Sequence, residues 1–175
     1  MCIRDSTTTD TGVYTRTPQL QVTFQLRADL YWSDGRPVQA SDSVFGFNVS
    51  CAPEAASASY QRCEKVADYR ALDARTIRVT FKPGVMEADY FTYYWDFLPE
   101  HAWSHYTVQE MPLADQVARR LSPSYGPYMV EDWVPGQSIT LVRNPYYALH
   151  GQGYPVVDKI VFKFVPTSYD LIAQL

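Results

Sequence analysis

The chain has 175 residues, 46% of them hydrophobic and 15% aromatic, with a formal net charge of −4 and a pI near 5.3. That length suits one large domain or one and a part, burying about 70% of the unfolded surface, and the composition argues against disorder. Basic residues are scattered, with only Arg119-Arg120 adjacent, so nucleic acid is a poor partner, and no apolar run approaches the roughly 20 residues of a membrane span.

At the start, MCIRDSTTTDTG lacks the basic opening and the apolar core of about 7–15 residues that a secretory signal needs. Nothing apolar precedes Cys2, so it does not read as a lipid-anchor cysteine. MCIRDS resembles translated adaptor sequence, so residues 1–6 are left out of the fold reading. Residues 1–12 are expected to be non-native or disordered. Leu20, Val22, Phe24 and Leu26 share one parity, which predicts a half-buried strand over 20–27. Leu30 and Trp32 resume that parity, predicting a strand over 30–33. Asp34-Gly35 is a turn signal, and Pro37 keeps Arg36 extended. Ser41, Asp42 and Ser43 offer side-chain oxygens to the first turn of a helix over 41–50. Val44, Phe45 and Phe47 begin its expected buried side.

Residues 52–58 read as a small-residue loop, and Tyr60–Lys65 as a helical turn. Cys51 and Cys63 flank this loop. Either they pair as a disulfide worth roughly 3 kcal/mol, which requires an oxidising compartment, or they are two unrelated thiols, one of them buried. A strand over 66–72 follows, then a turn at Asp73-Ala74. Ile77, Val79 and Phe81 alternate on the return strand, which ends at Pro83-Gly84. Tyr90, Phe91, Tyr94, Trp95 and Leu98 recur at helical spacing, predicting a short helix before Pro99. Further helices are expected over Glu100–Tyr106 and Leu113–Leu121, the latter lined by Leu113, Val117, Ala118 and Leu121. After Ser122-Pro123-Ser124 the pattern turns to strands. Tyr128, Val130 and Trp133 lead to a turn at Pro135-Gly136, and Ile139 and Leu141 lie on the return. Asn144-Pro145 is a turn, and His150–Gly153 a loop. Ile160, Phe162 and Phe164 form a last strand, and Thr167 or Ser168 caps a final helix containing Leu171, Ile172 and Leu175.

Three stretches together resemble one family. LRADLYWSDGRPVQASDSVFGFN at 26–48 is similar to the hallmark of the family 5 extracellular solute-binding proteins. Leu26, Arg27, Trp32, Asp34, Gly35, Pro37, Ala40, Asp42, Val44, Phe45 and Phe47 fit it. Gln39 stands where that family usually has a capping Thr, Ser43 where it has Val, and Asp29 where it has Gly. SYGPYMVEDWVPGQSITLVRNPYY resembles a second motif through Gly126, Pro127, Tyr128, Trp133, Pro135, Gly136, Leu141, Arg143, Asn144, Pro145 and Tyr147. DYRALDARTIRVTF and FLPEHAW resemble the hairpin and the LP-K/E-H segment between them.

The resemblance implies a mixed α/β (α+β) fold, a fragment of a two-lobed periplasmic-binding-protein-like (type II) architecture. Residues 13–120 would be most of an extra domain, and 121–175 an incomplete start of the first ligand-binding lobe. It also implies a function: capturing peptides, or related small solutes, outside the cytoplasmic membrane and delivering them to the permease of an ABC importer. The protein would be periplasmic or extracellular, free or lipid-anchored, monomeric, without a cofactor and not an enzyme. Tyr suits promiscuous ligand walls, with an apolar face and a polar tip. Among the tyrosines, Tyr60 and Tyr125 are the expected ligand contacts; the rest read as core.

Other chemistries have weaker support. His101 and His105 stand at i, i+4 beside Glu100, a spacing that suits a metal, but the order is not HExxH and no third ligand is evident. Asp68, Asp73, Asp89 and Asp96 read as solvated charges rather than an acid/base pair. Ser43, Ser104 and Ser124 lie in no nucleophile elbow, and Gly151-Gln152-Gly153 is no phosphate loop. The alternatives are therefore a zinc-dependent hydrolase around Glu100, His101 and His105, and a stand-alone aromatic-rich carbohydrate- or protein-binding domain. The resemblance also predicts exposed apolar strand edges near Ile139–Val142 and Ile160–Phe164.

Overall fold

The structure is a computed structural model, and it describes residues 2–10, 13–55 and 60–165, with the backbone alone for 2–10 and 13–16. The chain divides into two compact units: Met1–Ala28 with Val38–Gln109, and Asp29–Pro37 with Glu110–Leu175. The second unit takes up the chain again at Glu110 and includes the turn at Asp29–Pro37. The final helix expected from Thr167 or Ser168 lies outside the described residues.

The first unit is built on a four-stranded antiparallel sheet. Its strands are β1 (Cys2–Asp10), β2 (Val13–Gln25), β3 (Val66–Asp73) and β4 (Thr76–Phe81), in the order β1-β2-β4-β3. The period of two on β2 does what it implies: Leu20 and Val22 are buried, and so is Leu26 just past its end. Opposite them, Ile77, Val79 and Phe81 are the inward set of β4. Residues 1–12 were expected outside the fold, yet the backbone of Cys2–Asp10 pairs with β2 along its length. The β-branched run Thr7–Thr9 suits that conformation.

Helix α1 (Ala40–Ser50) packs on β3. Its buried face is not Val44, Phe45 and Phe47, which are partly exposed, but Ala40, Asp42, Ser43 and Gly46. Small and polar residues face inward because a backbone segment crosses this face: the Asp96 carbonyl lies against Gly46, and the Trp95 carbonyl accepts from Ser43 Oγ. Capping also differs from expectation. The Asp42 carboxylate accepts the N–H of Gln39 (2.8 Å), the N-terminal flank of α1, and the N–H of Glu100 (3.1 Å). Glu100 opens α3 (Glu100–Trp103). One buried carboxylate thus serves two helix starts, where unsatisfied N–H groups and the helix dipole both favour an anion. Between these helices lie a 3-10 turn at Pro53–Ala55 and the four-residue helix α2 (Tyr60–Cys63).

The helix expected from Tyr90 to Leu98 does not form. Only Tyr90–Thr92 makes a 3-10 turn, and an irregular strap runs on to Pro99. Tyr93 and Trp95 are each 4% exposed, whereas Phe91 is 59% and Tyr94 50% exposed. The period along the strap is two, not 3.6.

In the second unit, β5 (Tyr128–Val134), β6 (Ser138–Arg143) and β7 (Lys159–Lys163) form an antiparallel meander. Ile139–Val142 is therefore a central strand and not an edge, because β7 covers it. β7 is an edge of this sheet, with Val161 and Phe162 about half exposed. The helix expected over Leu113–Leu121 shrinks to α4 (Asp115–Ala118). Leu113 and Leu121 are exposed, so they line no packed face. Residues 30–33 make only an isolated bridge, Tyr31 with Pro37, around the Asp34-Gly35 turn.

Candidate functional site

Side chains distant in sequence hold the strap of the first unit. Ser43 Oγ donates to the carbonyl of Trp95 (2.6 Å). Having spent its proton there, it accepts from Tyr69 Oη, 2.7 Å away. Tyr69 Oη in turn accepts the backbone N–H of Trp95 (3.1 Å). This closed ring satisfies both backbone polar groups of Trp95, its N–H and its C=O, without a helix or a ladder. Around it, Phe47 stacks on Tyr69 at 4.8 Å, and Trp95 meets Phe47 (4.8 Å) and Tyr69 (5.1 Å) edge to face.

Burial pushes the Tyr69 phenol above its ordinary value, opposed by its hydrogen bonds with Ser43 and Trp95. The unfolded chain ionises this tyrosine near about pH 10. The neutral ring therefore contributes stability that is fully present below that pH and is lost as pH rises through the higher folded value. Tyr69→Phe is expected to cost about 1–2 kcal/mol at neutral pH and to flatten the alkaline decline. Urea denaturation at a series of pH values from neutral to alkaline checks both.

Beside the strap, Arg62 of α2 lies over the rings of Tyr93 (4.9 Å) and Trp95 (5.1 Å), and its Nη2 donates to the Thr92 carbonyl. Arg62, Phe91, Thr92, Tyr94 and Asp96 line a cavity of about 420 Å³. The neighbouring Cys63 is disulfide-bonded to Cys51 at the end of α1, with a Cα–Cα distance of 5.7 Å. A helix as short as α2 has no stability of its own, so this covalent tie anchors it. Replacing both cysteines by serine is expected to lower stability by about 3 kcal/mol, from the loop entropy released. Thermal melts of this variant and the oxidised parent measure the difference.

In the second unit the sequence motifs converge. The Asp34-Gly35 turn closes with Gly35 N–H to Trp32 O (2.9 Å) and Arg36 N–H to Asp34 Oδ1 (3.1 Å). It docks on the loop before β5: Ser33 N–H donates to Ser124 O (2.7 Å), and Ser124 N–H to Ser33 Oγ (3.1 Å). Trp32 meets Tyr125 edge to face at 5.3 Å. Gly35 has φ +86°, and the Tyr146 ring lies about 3.0 Å from where a Cβ would sit. The positive φ is what favours glycine there. Asn144 is fully buried. Its Nδ2 donates to Gly126 O (2.9 Å) and Ser124 O (3.4 Å), and its Oδ1 accepts Tyr146 N–H (2.9 Å). WSDG, GPY and NPYY are therefore parts of one hydrogen-bonded knot.

Of the expected ligand contacts, Tyr60 opens α2 and is 43% exposed, while Tyr125 is partly buried against Trp32. They belong to different units. His101 and His105 are exposed. Among the described residues, no three His, Cys, Asp or Glu side chains group as a metal site. Sequence reasoning singled out neither Arg62 nor the ring of Ser43, Tyr69 and Trp95. The aromatic pair Tyr93 and Trp95, two residues apart, was the available signal for the strap; nothing in the sequence pointed to Arg62.

Among the described residues, no helix is long and apolar enough to cross a membrane. The chain is 30% identical over 146 residues to the periplasmic oligopeptide-binding protein OppA of Escherichia coli, covering 71% of this chain and 25% of that protein. It is 29% identical over 171 residues to the oligopeptide-binding protein OppA of Lactococcus lactis, covering 86% and 28%. The chain thus spans about a quarter of the length of these relatives. The fold is similar to that of the oligopeptide-binding protein AppA from Bacillus subtilis in complex with a nonapeptide. The TM-score is 0.75 at 19% identity, over 89% of this chain and 30% of that one. Residues 11–175 match the middle region of the bacterial extracellular solute-binding proteins, family 5, and the chain belongs to that family.

Proposed function

We propose that this chain is part of the substrate-binding component of an ABC importer, capturing peptides or related small solutes and delivering them to the permease. The match to family 5 over residues 11–175 carries the reading, and the names of the two OppA relatives favour peptides. In this reading the first unit serves as the extra domain, and the second opens the ligand-facing lobe of a two-lobed protein. Lobe closure on the ligand traps it. Main-chain hydrogen bonds supply affinity for diverse peptides, with side chains in roomy pockets. Tyr60 and Tyr125 touch the ligand. The work is capture and release by a monomer, with no bond made or broken. The site of action is the periplasm or the cell exterior, free or lipid-anchored, and a disulfide suits such an oxidising compartment.

Thermal-shift titration of the protein from the complete gene tests this. Peptides should raise its melting temperature in a concentration-dependent way, as ligands that bind only the native state do. Shifts with sugars and none with any peptide would overturn the peptide assignment.

A further inference from the structure

We propose that the cavity at Arg62 is a binding site for a small zwitterion with an aromatic body, the chemistry of a free aromatic amino acid or a dipeptide. This does not rest on the importer reading. The cavity, about 420 Å³, lies within the range of small-molecule sites, roughly 300–1,000 Å³. It holds one cation and one anion. Arg62 is fixed on three sides: its face lies over Tyr93 and Trp95, one nitrogen donates to Thr92 O, and its helix is tied by the Cys51–Cys63 disulfide. A guanidinium carries more N–H donors than that one contact uses. The remaining edge suits a carboxylate.

Asp96 supplies the opposite charge. Its backbone carbonyl is pressed against α1 at Gly46, while its side chain is exposed and lines the cavity. Among the residues that line the cavity, Arg62 and Asp96 are the charged ones. A purely anionic ligand would meet Asp96, and a purely cationic one Arg62; only a molecule with both charges pairs with each. Phe91 and Tyr94, 59% and 50% exposed, present two aromatic walls to the same space. The wall is held in place: Thr92 N–H and Thr92 Oγ1 both donate to Asp89 O, at 2.9 and 2.8 Å.

Isothermal titration of the 175-residue chain with L-phenylalanine and with the dipeptide Phe-Phe tests the site. L-phenylalaninamide, without the carboxylate, and N-acetyl-L-phenylalanine, without the ammonium, serve as controls. Saturable binding of either zwitterion is expected, the tighter one identifying the source, with each single-charge analogue weaker by about ten-fold. Asp96→Asn and Phe91→Ala change exposed side chains, so melting should be unaltered while affinity falls by about ten-fold. The proposal is overturned if neither zwitterion saturates a cooperatively melting chain. It is equally overturned if the analogues bind as tightly, or if both variants bind like the parent. Peptide shifts of the complete protein do not enter either result.

Discussion

Gly46→Ala is expected to cost about 3 kcal/mol or more, enough to unfold the first unit under conditions where the parent is folded. Alanine at a helix-interior glycine ordinarily stabilises by about 1 kcal/mol. Here the sign reverses, because the added Cβ would lie 2.0 Å from the Asp96 carbonyl oxygen. That oxygen is backbone and has little room to retreat. Leu98 N–H donates to Asp42 O (3.2 Å), and Ser43 and Tyr69 grip Trp95 just before it. Relieving the clash means lifting the strap and withdrawing Tyr93 and Trp95 from the core. Asn48→Ala, on the exposed side of the same helix, is the control and should be neutral or slightly stabilising. Urea denaturation followed by circular dichroism measures both. A Gly46→Ala chain as stable as its parent would show that strap and helix do not meet this closely.

Asn144→Ala should cost about 3 kcal/mol in the second unit. Its side chain is buried and makes three hydrogen bonds, two given and one accepted. Truncation removes the partner of the Gly126 carbonyl and of the Tyr146 N–H, both part-buried bonds, and a hydrogen-bonding group left unsatisfied inside a fold costs about 1–3 kcal/mol. Asn144→Asp separates geometry from chemistry. The carboxylate can still accept from Tyr146, but at neutral pH it cannot donate to Gly126 O and instead faces it with like partial charge. It should therefore be no better than alanine despite its matching shape. Amide hydrogen exchange in β5 and β6 should rise in both variants. Wild-type exchange in Asn144→Asp would mean that the Nδ2 donors are not what holds the knot.

The contrast between these two sites shows what was legible in the chain. Strand parity at Leu20, Val22 and Leu26 is a local signal, and it was read correctly. The motifs around Trp32, Gly126 and Asn144 carry the family's pattern in the sequence itself. The strap was misread because its backbone is satisfied by Ser43 and Tyr69, 52 and 26 residues away. No local periodicity encodes such partners. The same holds for α1, whose inward face is small and polar because a backbone segment crosses it. Parity also carried Leu30 and Trp32 into a predicted strand, although a turn holds them. Arg62 was passed over because a lone arginine between Tyr60 and Cys63 has no pattern; its meaning comes from Thr92, Tyr93 and Trp95.

Uptake of a labelled peptide tests the central claim most directly, measured in the source organism, in a strain lacking the complete gene, and in that strain with the gene restored. The account predicts that uptake falls to background on deletion and returns with the intact gene, but not with a copy bearing Gly46→Ala. Unchanged peptide uptake in the deletion strain, with no peptide bound by the purified complete protein, would contradict it.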